Sequence, residues 1–80
     1  ENLKAAVIPE NVKRIGNYSF CGCSSLKKLV IPKSVKRIGA QAVLGCGSVT
    51  IYSYPESRGK KFAEENNILF SELSDKGLLL

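Results

Sequence analysis

Residues 26–48 read LKKLVIPKSVKRIGAQAVLGCGS, and residues 3–25 read LKAAVIPENVKRIGNYSFCGCSS. Laid over one another at a shift of 23, they agree at 13 of 23 positions, including the block VKRIG, Val12 to Gly16 and Val35 to Gly39. A third copy opens at Val49, one period after Leu26, and Pro55 follows Pro9 and Pro32 at the same interval before the pattern stops. A period in the twenties describes short supersecondary units that cannot bury their apolar faces alone and therefore stack.

Each unit has a physical reading. Leu26, Leu29 and Ile31 are core candidates, and Leu29 and Ile31 alternate as in a strand. Pro32 has no N–H and ends the ladder. Val35 and Ile38, three apart, predict a short helical or 3₁₀ turn facing the core. Gly39 then supplies a position free to take positive φ. The run AQAVL predicts a tight turn or a single helical turn with Ala42 and Val43 inward, followed by a bend at Gly45 and a buried corner at Cys46. Stacked units bring equivalent residues to the ~4.8 Å spacing of neighbouring strands.

The pattern L-x-x-L-x-I-P-x-x-V-x-x-I-G-x-x-A-[FV]-x-x-C over residues 3–55 resembles the BspA-like leucine-rich repeat of bacterial surface proteins. Phe20 and Cys23 fit it, Cys21 is an extra cysteine, and Val43 stands where the usual residue is Phe. The resemblance implies an α/β leucine-rich-repeat solenoid. Its short parallel strands would stack one per 23-residue coil, with short helical turns opposite and a C-terminal capping helix. Residues 1–55 would form the repeats (3–25, 26–48 and the partial 49–55), with a capping helix and short strand at 56–70, all in one domain. In SRGKKFAEENNILF, Ser57 is the expected N-cap and Phe62, Ala63 and Ile68 the apolar face. Lys60–Glu64 and Lys61–Glu65 are i,i+4 pairs, and Asn66-Asn67 is the stop. The tail 71–80 reads equally as a frayed end, a linker or a strand docking elsewhere.

No residues precede Leu3 that resemble a cap, so the chain is expected to be the C-terminal part of a longer array. The first coil would then expose an apolar edge open to self-association. Eighty residues bury only about 60–65% of their unfolded surface, which leaves no room for a deep cleft between lobes. The 44% apolar content fits a folded chain. The longest apolar run, Ala5 to Ile8, is far short of the ~20 residues of a membrane span.

The chemistry-bearing residues are few. There is no His, so neither a Ser/His/Asp nor a Cys/His arrangement can form. Cys21, Cys23 and Cys46 give C-x-C plus a lone Cys, with no fourth metal ligand. The preferred reading of Cys23 and Cys46 is a stack of reduced, buried thiols; a disulfide between them is geometrically conceivable. Glu64 and Glu65 read as solvated charges beside lysines, and the glycines recur with the coil rather than forming a phosphate loop. The residues therefore call for no enzyme activity, metal or cofactor.

Charge is the remaining signal. Residues 1–55 carry eight Lys/Arg against two acids, whereas residues 56–80 are slightly acidic. Lys4/Lys27, Lys13/Lys36 and Arg14/Arg37 should stack in adjacent coils, with Lys28 and Lys33 nearby, as a basic strip suited to polyanionic glycans. Nucleic acid is disfavoured because no aromatics interleave the cations. Tyr52 and Tyr54, flanking Ser53 ahead of Pro55, form a candidate aromatic patch. The family resemblance implies a cell-surface or secreted, non-enzymatic adhesion and protein-binding module whose partner is a host or matrix protein. A structural spacer or end-cap without a ligand is the alternative, and a redox regulator acting through Cys21 is the weakest.

Overall fold

The computed structural model describes residues 4–73. Six short strands and one helix follow in the order β1 (Ala5–Val7), β2 (Arg14–Ile15), β3 (Lys28–Val30), β4 (Arg37–Ile38), β5 (Thr50–Ser53), α1 (Arg58–Glu65) and β6 (Leu69–Glu72). They build an all-parallel four-stranded sheet, β1-β3-β5-β6, and a two-stranded parallel sheet, β2-β4.

The 23-residue shift is visible as register: Ala5 lies opposite Lys28, Val7 opposite Val30, and Arg14 opposite Arg37. Stacking extends into the turns, where the Phe20 and Gly22 N–H groups donate to the Ala42 and Leu44 carbonyls at 2.8 and 2.9 Å. Each repeat thus satisfies the backbone groups of its neighbour, which a short irregular unit cannot do for itself.

The core belongs chiefly to the middle repeat. Leu26, Leu29, Ile31, Val35, Ala42 and Cys46 are all buried, and Val49, Ile51, Phe62 and Ala63 close over them. The equivalent Ala6, Ile8, Val12 and Cys23 of the first repeat are only half-buried, because a neighbour stacks on one side of them alone. Leu3 lies outside the described residues.

Four expectations change. Val35 and Ile38 do not make a helical turn. The chain turns after Pro32, with the Val35 N–H on the Pro32 carbonyl at 3.4 Å, and then extends into β4. The Val-x-x-Ile spacing therefore marks one residue in a turn and one in a strand, and α1 is the only helix among the described residues. Gly39 does not have positive φ; Gly22 and Gly45 do, both at 81°. Gly39 is needed for close approach: a Cβ there would lie 2.5 Å from the Asn17 backbone nitrogen of the first repeat.

The third change is register. Extending the 23-residue period places Tyr52 in the inward slot of Leu29. The strands instead pair at 22, Leu29 opposite Ile51 and Val30 opposite Tyr52. Ile51 is a better core residue than a tyrosine whose hydroxyl would need a buried partner, so Ile51 and Ser53 point inward and Tyr52 and Tyr54 remain half-exposed. Fourth, β6 continues through Ser71 and Glu72, which pair with Tyr52 and Ser53, two residues past the expected end of the strand. The rest of the tail, 74–80, lies outside the described residues.

Helix α1 begins at Ser57, whose hydroxyl accepts the Lys60 N–H at 3.2 Å, and stops at Asn66 before Asn67 takes a left-handed φ of 55°. It packs on β5 through Gly59, Phe62 and Ala63. Lys60 reaches Glu64 at 3.9 Å, but Glu65 pairs with Arg58 at 3.0 Å rather than with Lys61.

Candidate functional site

Two surfaces carry the residues singled out in the sequence. The first is the outward face of the four-stranded sheet. Alternation sends Ala6, Leu29, Ile51 and Phe70 inward and Val7, Lys28, Val30, Tyr52 and Leu69 outward. Val7 and Leu69 are 69% and 68% exposed at the two margins. Between them the Lys28 ammonium lies over the Tyr52 ring, 5.2 Å from its centroid. Such an exposed cation–π contact is worth roughly 0.5–1 kcal/mol, enough to bias both side chains toward one arrangement. This half-apolar, half-polar face, with a held tyrosine at its centre, has the composition of a protein contact patch.

The repeat cations adjoin pairwise as the 23-residue shift predicts. Lys4 and Lys27 adjoin through backbone, the Lys27 N–H donating to the Lys4 carbonyl at 2.8 Å, at the entry to β1 and β3. Lys28 joins Tyr52, and Lys33 places its ammonium over the Tyr54 ring at 4.9 Å. Lys13 and Lys36 adjoin through a 2.8 Å backbone bond, and Arg14 pairs in register with Arg37 on the small sheet. Tyr52 and Tyr54, two residues apart, each face a lysine.

The second surface is a pair of adjoining grooves where the small sheet meets α1. One, of about 650 Å³, is lined by Lys33, Lys36, Tyr54, Glu56, Arg58 and Lys61 among others. The next, of about 580 Å³, is lined by Arg14, Arg37, Lys36 and Arg58 with the intervening backbone. Lys36 and Arg58 belong to both. Arg58 and Lys61 were not among the sequence candidates. They lie outside the repeat, and only their helix packing brings them to Lys36. The signal available was charge placement: the first turn of α1 has no acid and begins with Arg58, the reverse of what a helix N-terminus favours.

The three cysteines are free thiols with graded burial: Cys21 exposed, Cys23 half-buried and Cys46 buried. The Cys46 Sγ donates to the Phe20 carbonyl at 3.1 Å. Burial pushes the Cys46 thiol above its ordinary value, and the neighbouring Cys23 sulfur adds to the effect.

Among the described residues, no helix is long and apolar enough to cross a membrane. Comparison with curated proteins and with solved structures gives no match. The family model for the BspA type leucine rich repeat region (6 copies) matches residues 1–74. With repeat, register and motif in agreement, the chain belongs to the BspA type leucine rich repeat family.

Proposed function

We propose that this chain is the interaction module of a bacterial cell-surface or secreted repeat protein, and that it grips a host or matrix protein with the outward face of its four-stranded sheet. Repeat modules of this kind serve protein interaction, and the observation that carries the reading to this face is the Lys28–Tyr52 contact set between exposed Val7 and Leu69. Apolar margins supply burial, and a pre-positioned Tyr/Lys pair supplies orientation at low entropic cost.

The test is binding of the chain to a panel of immobilised extracellular-matrix proteins at low and high salt. Saturable binding to at least one, largely retained in high salt, is expected of a face whose contact is mainly apolar. Failure to bind any of them, or binding abolished by salt, counts against it.

A second reading is a solenoid end-piece whose role is structural, favoured by the way α1 and β6 complete the core beside the third pass while the first repeat stays half-buried. In that case, fusing one further repeat ahead of β1 should raise the melting temperature, with no ligand found for the sheet face.

A further inference from the structure

We propose that the double groove between the small sheet and α1 is a binding site for a sulfated polysaccharide. Six cations border it: Lys33, Lys61, Lys36, Arg58, Arg37 and Arg14. Glu56 is the one acid lining either groove, and Glu65, outside both linings, pairs with Arg58 at 3.0 Å. A guanidinium has five donors in a rigid fork, so that ion pair fixes Arg58 and leaves donors for a ligand. Arg14 and Arg37 are register partners, so their backbones lie about 5 Å apart and their side chains share one face of the small sheet. Guanidinium groups held that close would repel by about 0.8 kcal/mol in water. The Arg14–Arg37 pairing of like charges brings the fold no stabilisation, whereas a polyanion lying along the groove would neutralise several cations at once.

The class of polyanion follows from geometry. The track runs across the strands, so Arg14 and Arg37 recur at the ~4.8 Å strand spacing. An extended acidic peptide repeats one face only about every 7 Å, two residues at ~3.3 Å each, and would leave part of the track unmatched. Nucleic acid would call for a succession of stacking rings, and the lining of the two grooves has a single aromatic, Tyr54, flanked by Pro55. One ring, with the Lys33 ammonium 4.9 Å from its centroid, in an open cation-lined groove suits a sugar carrying closely spaced sulfates better than a run of stacked bases. The groove shares no residue with Val7, Lys28, Val30, Tyr52 and Leu69, so this assignment and the protein-binding face stand or fall separately.

The probe is a size-defined heparin oligosaccharide, titrated into isotopically labelled chain at about 0.15 M salt and followed by amide shifts and calorimetry. Expected are shifts centred on Lys36, Tyr54, Arg58 and Lys61, and affinity that falls with salt. K36Q/K61Q should weaken binding at least about tenfold, while K4Q/K27Q, which removes the same charge elsewhere, should change it less than about threefold. Amide spectra of both variants check that they fold, and the shift map on the unaltered chain decides the matter if one does not. The assignment is overturned by equal loss from the two pairs, by shifts centred on the large sheet, by tighter binding of polyglutamate or single-stranded DNA, or by no binding.

Discussion

Gly59 sits so close to Ser53 that a Cβ on the glycine would lie 2.7 Å from the serine Oγ and 3.3 Å from the Ile31 Cβ. Ser53 occupies the inward slot next to Ile51 on β5, and its hydroxyl donates to the Ile31 carbonyl at 2.7 Å while contacting the Ser57 hydroxyl at 2.8 Å. A small polar residue on the strand and a bare backbone on the helix together let α1 settle on the last repeat. Gly59→Ala must push them apart. Overpacking costs about 1–3 kcal/mol, against which alanine recovers less than about 1 kcal/mol of helix propensity. The expected outcome is a melting temperature several degrees lower, measured by circular dichroism; an unchanged or higher value would mean that α1 docks less closely.

Gly16 and Gly39 are equivalent in sequence but not in surroundings. A Cβ on Gly39 meets Asn17 backbone, while one on Gly16 has the Ser19 Oγ at 3.7 Å as its nearest neighbour. Gly39→Ala should therefore cost about 2–3 kcal/mol and Gly16→Ala less than about 0.5 kcal/mol in chemical denaturation. Similar costs at both sites would show that the face beside Gly16 is packed in solution, as self-association through the first repeat requires. Light scattering across concentrations separates that case from a monomer.

Val43 is smaller than the Phe20 it follows in the repeat, and a solvent-open groove of about 450 Å³ lined by Val43, Cys46, Val49, Ile68 and Leu69 among others lies beside it. Val43→Phe should fill part of this space and stabilise the chain by roughly 0.5–1 kcal/mol, as cavity-filling changes do. A loss of stability in urea melts would mean that the space is shaped against an aromatic ring.

Thiol chemistry should follow burial. At neutral pH a thiol reagent should modify Cys21 first and Cys23 more slowly, reaching Cys46 only on unfolding. The raised pKa of Cys46 keeps its proton on in the folded chain after the unfolded chain has lost it. Its stabilising contribution is therefore complete below the ordinary cysteine value of about 8.5 and is lost as pH climbs through the folded value. Comparing wild type with Cys46→Ala, the difference in melting temperature should shrink as pH rises above about 8.5. A constant difference would show that Cys46 is not shielded.

Much of this architecture was legible in the sequence, for reasons particular residues make plain. Leu26, Ile31 and Val35 recur with the coil, Leu29 alternates with Ile31 as in a strand, and all four are buried. The 23-residue shift correctly paired Arg14 with Arg37. It failed in the third pass, where the proline spacing stays at 23 but the strand pairs at 22. There, burial of Ile51 outweighed the alignment of Pro55, and the tyrosines turned outward as a result. The small sheet was hidden because Val35 and Ile38 satisfy a helical spacing while lying in a turn and a strand. The cationic groove was hidden because Lys36 and Arg58 are 22 residues apart in sequence and meet only through the seating of α1. Docking of a helix is a matter of packed shapes such as Gly59 on Ser53, which no period records.

The protein-binding face comes down to Tyr52, placed outward by the 22-residue register and held beneath Lys28. Once a matrix-protein partner is in hand, the direct measurement is its affinity for Tyr52→Ala, beside Lys13→Ala, a change at an exposed position off the large sheet. Truncating a central aromatic anchor should cost about 2 kcal/mol or more, roughly thirtyfold or more in Kd, with Lys13→Ala within about twofold of wild type. Equal affinity for wild type and Tyr52→Ala would remove the large sheet as the binding face.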